Sequence, residues 1–436
     1  MESRGTGKDS AFGRRFGRSP PLSTFKRILE GSGDREISTT MAFVQQLQQL
    51  VKDPIIGARV VPIVPDESRT FGMEGMFRQL GIWSQVGQLY TPQDADQLMF
   101  YREDKQGQIL QEGINEAGAM SSWIAAATSY AVHGTPTVPF YVFYSMFGFQ
   151  RVGDLAWAAG DMRSRGFLLG ATAGRTTLNG EGLQHEDGHS HLLASAVPNC
   201  LPYDPAFGYE VAVIVQDGLR RMVTEQEDVY FYLTIMNENV RQPALPAGAE
   251  AGILKGMYRL PGLDPAGAKA GAPRVQLLGS GMILHEVLHA AALLRQDFGV
   301  EADLWSCPSF TLLARDGRAT ERAGRLHPDA PPRRPWVEEC LAGARGPAIA
   351  ATDYVRAFAE QIRPWVGRRY LVLGTDGFGR SDTREKLRRF FEVDRHHVVV
   401  AALKALADEG AVPASTVTAA MTKYGIDGSR PDPWTV

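Results

Sequence analysis

The sequence predicts an α/β protein made of two successive units, each with a mainly parallel sheet. Three observations carry this. Strand signals alternate with helical ones along most of the chain. Residues 117–150 contain no Asp, Glu, Lys or Arg, and read as a buried helix, a turn and a buried strand covered on all sides. A stretch rich in Pro, Ala and Gly, residues 243–273, separates the first set of signals from the second.

Residues 1–36 are rich in Gly, Ser, Pro and Arg without any period, and read as a flexible lead-in or truncated linker. Ser38 or Thr39 can cap a helix with Phe43, Val44, Leu47, Leu50 and Val51 on one stripe. Asp53-Pro54 stops it, and residues 59–64 form a strand. A helix over 72–80 and a polar loop over 91–108 follow. A small-residue helix spans 117–131, and strand 139–144, helix 153–165 and strand 166–171 come next. A glycine-rich loop fills 174–191, with strand signals at 198–203 and 229–235. In the second unit, strands are expected at 275–278, 302–306, 348–351 and 370–373. Helices are expected at 282–297, near Arg356, and at 383–391, 397–407 and 414–424.

The 436 residues suit two or three domains at about 100–200 residues each. Forty-six basic against 49 acidic residues give a net charge of −3, which argues against a nucleic-acid partner. Three scattered cysteines fit a reducing, cytoplasmic setting and no disulfide scaffold. No apolar segment follows the early basic residues as in a secretory signal. Gly134, Pro136 and Pro139 break the uncharged run below the about 20 apolar residues a membrane span needs.

Two HExxH strings invite a metal reading. His285-Glu286-Val287-Leu288-His289 lies on a helix, as zinc peptidases require. A third ligand is lacking and Ala290-Ala291-Ala292 follows, so a solvated helix face is the expectation and a zinc hydrolase the alternative. His185-Glu186-Asp187-Gly188-His189 lies in the glycine-rich loop, where Gly disfavours helix. With His191 and Glu181 it reads as a polar wall of an active site at the carboxyl ends of strands, or as histidines satisfying loop carbonyls. Glu116 opens the uncharged run. It is either a desolvated acid–base group or an acid favoured by a helix N-terminus.

Several strings carry a resemblance. They are VPDE at 64–67, RTFGMEG at 69–75, QEGINE at 111–116, FYVFYSMFGFQR at 140–151, GRTTLNGEGLQHEDGHSH at 174–191, TDGFGRSD at 375–382 and the closing Trp434-Thr435-Val436. From about residue 37 on, the chain resembles the C-terminal half of the homodimeric-type, thiamine-diphosphate-dependent first component of bacterial pyruvate dehydrogenase complexes. The resemblance implies a transketolase-like pyrimidine-binding domain over 37–242, a linker over 243–273 and a smaller transketolase C-terminal α/β domain over 274–436.

It also implies roles. Glu116 hydrogen-bonds the aminopyrimidine of thiamine diphosphate and promotes proton removal from its reactive carbon. Tyr144 and Phe147 line the pyrimidine pocket, and Tyr144 also faces the substrate. Asp66 and Glu67 order the same cavity. His185, with Glu181 and more weakly His189, faces the substrate. The C-terminal domain is expected to lie away from the chemistry. The implied reaction is oxidative decarboxylation of pyruvate, with acetyl transfer to a lipoyl group of dihydrolipoyl acetyltransferase, by a homodimer. The family's diphosphate and magnesium site, marked by Gly-Asp-Gly and a later Asn, belongs to an N-terminal half whose string is not found here. The chain alone is therefore expected to be inactive. A split-gene subunit, a gene fragment and a degenerate remnant are the readings this expectation leaves open, with a non-catalytic interaction subunit or inactive fragment of the same complex as the alternative.

Overall fold

The computed structural model describes residues 18–65, 68–93, 101–262 and 271–436. The first unit is built on a six-stranded sheet of β1 (Val60–Val64), β2 (Leu110–Gln111), β3 (Val138–Tyr144), β4 (Phe167–Ala171), β5 (Cys200–Tyr203) and β6 (Tyr230–Thr234). Its order is β2-β1-β3-β4-β6-β5, and every pairing is parallel.

Side-chain alternation explains why helices cover both faces. Phe140 and Val142 of β3 point into one core with Phe43, Val44 and Leu47 of helix Thr39–Leu50. Tyr141 and Phe143 point into the other, with Met120 and Trp123 of helix Glu116–Val132 and Val152 and Ala156 of helix Phe149–Asp161. All strands then run the same way, so the loops after β1, β2, β3 and β4 share one end of the sheet.

The second unit holds β7 (Tyr258–Arg259), β8 (Arg274–Gly279), β9 (Glu301–Ser306), β10 (Ala348–Ala351) and β11 (Tyr370–Leu373) in the order β7-β9-β8-β10-β11. Only the β7 edge is antiparallel among these pairings. Helices Ile283–Phe298 and Arg395–Asp408 pack with Val275 and Leu277 on one face, and Phe310 and Leu313 of helix Phe310–Leu326 with Leu278 on the other.

Four differences from the sequence reading have physical causes. Residues 18–36 are not wholly a lead-in: Leu22–Phe25 and Lys26–Leu29 are helical, and Phe25 and Ile28 are buried in the main core. The presumed linker contains helix Glu250–Lys255 and β7, while its residues 263–270 lie outside the described ones. Helix Gly208–Leu219 was not anticipated, because its Val-Ala-Val-Ile-Val run is buried on nearly all sides and shows no helical stripe. Helix Glu116–Val132 is not covered all round: Ala117, Ser121, Ala125 and Val132 are exposed. Beyond Glu116 it lacks charge on both faces but buries only one. No helix among the described residues is long and apolar enough to cross a membrane.

Candidate active site

The loops at the carboxyl end of the first sheet bring four of the expected residues into one contact chain. Asn115 caps helix Glu116–Val132 by accepting from the Gly118 amide at 3.0 Å, which places Glu116 on its first residue. Glu116 is mostly buried, its side chain 14% exposed, and its Oε1 accepts from Nη1 of Arg151 at 3.1 Å. The guanidinium of Arg151 lies 3.8 Å from the centre of the Phe147 ring. Phe147 follows the end of β3 and packs on Tyr144, with ring centres 5.9 Å apart.

His185 closes the cluster. Its ring centre lies 5.1 Å from that of Tyr144 and 5.0 Å from that of Phe147. Nδ1 stands 3.6 Å from Oε2 of Glu181, outside hydrogen-bond reach, and it is buried without a partner. Beneath them, Tyr141 also has a buried hydroxyl with no partner, and burial, reinforced by the charges of Glu116 and Glu112, holds its proton on. Phe71 packs on the other side of Tyr144 at 5.4 Å.

The two neighbours in the His185 loop part company with it. His189 sits at the start of helix Ser190–Ser195, its amide donating to Asp187 Oδ1 at 3.0 Å. His191 is fully buried, bonded to Thr234 at 2.9 Å and stacked on Phe358. Burial pushes its pKa well below the ordinary value. It is a core residue and no part of a polar wall. Asp66 and Glu67 lie outside the described residues.

The helical HExxH string is neither a metal site nor a solvated face. Glu286 is buried and accepts from Arg395 Nε and N at 2.9 Å each, with Arg388 Nη1 at 3.5 Å. Burial pushes its carboxyl up, but the Arg395 hydrogen bonds and the two positive charges hold it below its ordinary range. His285 packs edge-on to Phe207 and is lowered to about 4 by burial, while His289 is exposed. No group of three His, Cys, Asp or Glu among the described residues could hold a metal ion.

Comparison with known proteins bears on this geometry. Residues 21–243 match the model of the pyruvate dehydrogenase E1 component middle domain, just over half of the chain. The chain belongs to the pyruvate dehydrogenase E1 family. Residues 256–394 match the transketolase-like C-terminal domain. The pyruvate dehydrogenase E1 component of Pseudomonas aeruginosa is 67% identical over 415 residues, which are 95% of this chain and 47% of that protein. The chain thus spans about half the length of the curated relatives it matches. Among solved structures, a transketolase from Campylobacter jejuni aligns with a TM-score of 0.63 at 17% identity, over 90% of this chain and 50% of its own. A structure described as a split-gene transketolase, an inactive β4 tetramer, aligns at 0.56 and 14% identity, over 85% of this chain and 98% of its own. These structures establish the transketolase-like fold expected from the sequence.

The E1 strings quoted above contained Arg151 without singling it out. It is the first charged residue after the uncharged run, a signal that a carboxylate inside that run would need a partner. Glu116 is therefore not a lone acid in apolar surroundings. Phe71 likewise lies in one of those strings, RTFGMEG, with no feature of its own to single it out. A further correction concerns the second unit. It does not lie away from the cluster: the Arg380 amide donates to Glu186 at 2.6 Å, one residue beyond His185.

Proposed function

We infer that this chain supplies the pyrimidine-side half of a thiamine-diphosphate-dependent pyruvate dehydrogenase (acetyl-transferring) active site. The observation that carries the reading is the Glu116–Arg151–Phe147–His185 contact chain at the carboxyl end of a family-matched sheet. The fit to the cofactor's ring end is chemical. A carboxylate stands at one end, two aromatic rings follow, and the orphaned Nδ1 of His185 faces the same cluster.

Bound thiamine diphosphate supplies the electron sink that decarboxylation of a 2-oxo acid needs. Glu116 holds a proton against the aminopyrimidine nitrogen, taking it in place of its bond to Arg151. Tyr144 and Phe147 hold the ring plane. His185 orients the substrate carboxylate, with Glu181 setting its ring, and His189 contributes at the rim. The diphosphate and magnesium would be held by an N-terminal half, whether on a longer form of this protein or on a separate chain. Magnesium prefers hard oxygen ligands. The exposed uncharged face of helix Glu116–Val132 suits cover by such a half. The acetyl group would leave on a lipoyl group of dihydrolipoyl acetyltransferase, from a cytoplasmic homodimer.

The test is to mix the purified chain with the N-terminal half of a full-length relative and follow pyruvate consumption. Turnover in the mixture and none with either part alone is expected. A second reading, a non-catalytic interaction subunit, predicts no turnover in any mixture. A zinc hydrolase has no support, since Glu286 is committed to two arginines.

A further inference from the structure

The loop over residues 174–191 carries His185, and it is held less by its own unit than by the second one. Asp353, wholly buried just past β10, receives four donors from the loop. Oδ1 accepts from the amide and hydroxyl of Thr176 at 2.9 and 2.7 Å, and Oδ2 from those of Thr177 at 3.2 and 2.6 Å. A Cβ at Gly174 would strike the same carboxylate, so the approach needs glycine there, at a φ of +88°. Arg175, 4% exposed, donates to the Thr375 carbonyl at 2.6 Å, and Arg384 donates to the Thr177 carbonyl at 2.6 Å.

On the far side of His185 the second unit grips again. The Arg380 amide holds Glu186, and the Val355 amide donates to the Gly188 carbonyl at 2.8 Å. The first unit contributes Gln150, whose amide nitrogen donates to Asp187 Oδ1 at 2.7 Å, and holds the end of the loop through Tyr232 on Ser190 and Thr234 on His191, at 2.9 Å each. Segments following β10 and β11 thus fix the loop before and after His185. A ring aimed at reacting atoms must be held to a fraction of an ångström by the groups behind it, and a loop of glycines does not hold itself.

We propose that the second unit positions His185, with Asp353 as the positioning residue that fixes the loop against Tyr144 and Phe147. The proposal deepens the reading of the Glu116–His185 cluster as the reaction site and rests on it. Asp353 touches no reacting atom. It acts through the loop, and a mere adhesive between the units would not set the ring of His185.

The test needs no cofactor. In the full chain labelled at histidine carbons, the His185 ring signal is identified by its loss in His185→Gln, and amide exchange over 174–191 is followed in parallel. Asp353→Asn turns one acceptor oxygen into a donor facing the Thr177 amide. Exchange in the loop should rise about tenfold or more, as loss of a charge-assisted buried bond allows. The His185 signal should lose its ring-current displacement and move toward that of an exposed histidine. Asp303→Asn is the control. This buried carboxylate of β9, paired with Arg274 and Gln276, should leave the His185 signal in place. If Asp353→Asn does not fold, Thr177→Val removes one hydroxyl donor from the loop side and should give the same changes, smaller. A faster-exchanging loop with an unmoved His185 signal overturns the proposal, as does an equal shift in Asp303→Asn. Pyruvate turnover in the mixture with an N-terminal half reports on the function alone, so failure of either claim is read separately.

Discussion

Two regions of this molecule spell His-Glu-x-x-His, and they do opposite things. In the loop at 185–189 the first histidine is left with an unpartnered nitrogen among aromatic rings. Its glutamate is buried with one oxygen bonded and the other not. In the helix at 285–289 the glutamate is saturated by Arg388 and Arg395, and the first histidine, which also keeps a buried unpartnered nitrogen, Nε2, packs edge-on to Phe207. Both first histidines keep an orphaned nitrogen, so the setting separates them: the loop string lies at a strand end beside Tyr144 and Phe147 with one glutamate oxygen unpartnered, whereas the helical glutamate is fully paired between packed helices.

The largest expected effect is at Glu116, at the opposite end of the contact chain from His185. Glu116→Gln, in the chain mixed with an N-terminal half, should lower pyruvate turnover by about a hundredfold or more, the usual range for a lost proton-transfer group. Steady-state assay checks it, and unchanged turnover removes Glu116 from the mechanism. Next comes the structural motif. Glu286→Gln should cost about 2 kcal/mol of stability, because Arg388 loses one of its two carboxylates, with solvent at the partly exposed Arg395 softening the loss. Denaturant unfolding measures it, and bound-metal content should not change.

The histidines themselves sharpen the contrast. His185→Ala should reduce turnover by less than Glu116→Gln does, while leaving cofactor affinity near normal. His289→Ala, on the helical string, should be silent in both. Equal losses in the two variants would break the comparison.

A smaller effect follows from Glu186. Burial raises its carboxyl from 4.5 to about 8, against the Arg380 amide bond and the charges of Arg175 and Arg380, while Asp353 adds to the rise. The folded state therefore binds this proton more tightly than the unfolded chain does. The resulting stability is complete below 4.5 and is lost as pH rises through about 8. Amide exchange over 174–191 should quicken across that window. Glu186→Gln, which stays neutral, should remove the pH dependence.

Much of this was legible in the residues. Strands β10 and β11 show at their observed bounds, because short apolar runs between turn residues have few other uses. The expected residues Glu116, Tyr144, Phe147, Glu181 and His185 do come together, since each ends or follows a strand of one parallel sheet. What was not legible depends on contacts between distant residues. Arg151 meets Glu116 across 35 positions and Asp353 meets Thr176 across 177, and no local period records either. The burial of His191 is a packing outcome of Tyr354 and Phe358, which belong to the other unit.

On the proposed reading, this chain holds the ring end of the cofactor and needs another half for its diphosphate. Titration with thiamine diphosphate and magnesium tests it most directly, on the chain alone and on the chain mixed with an N-terminal half from a full-length relative. One hydrogen bond and aromatic contact supply only a few kcal/mol before the entropy of association, so the chain alone should bind weakly and without dependence on magnesium. The mixture should bind tightly and depend on magnesium. Tight, magnesium-dependent binding by the chain alone would contradict the account.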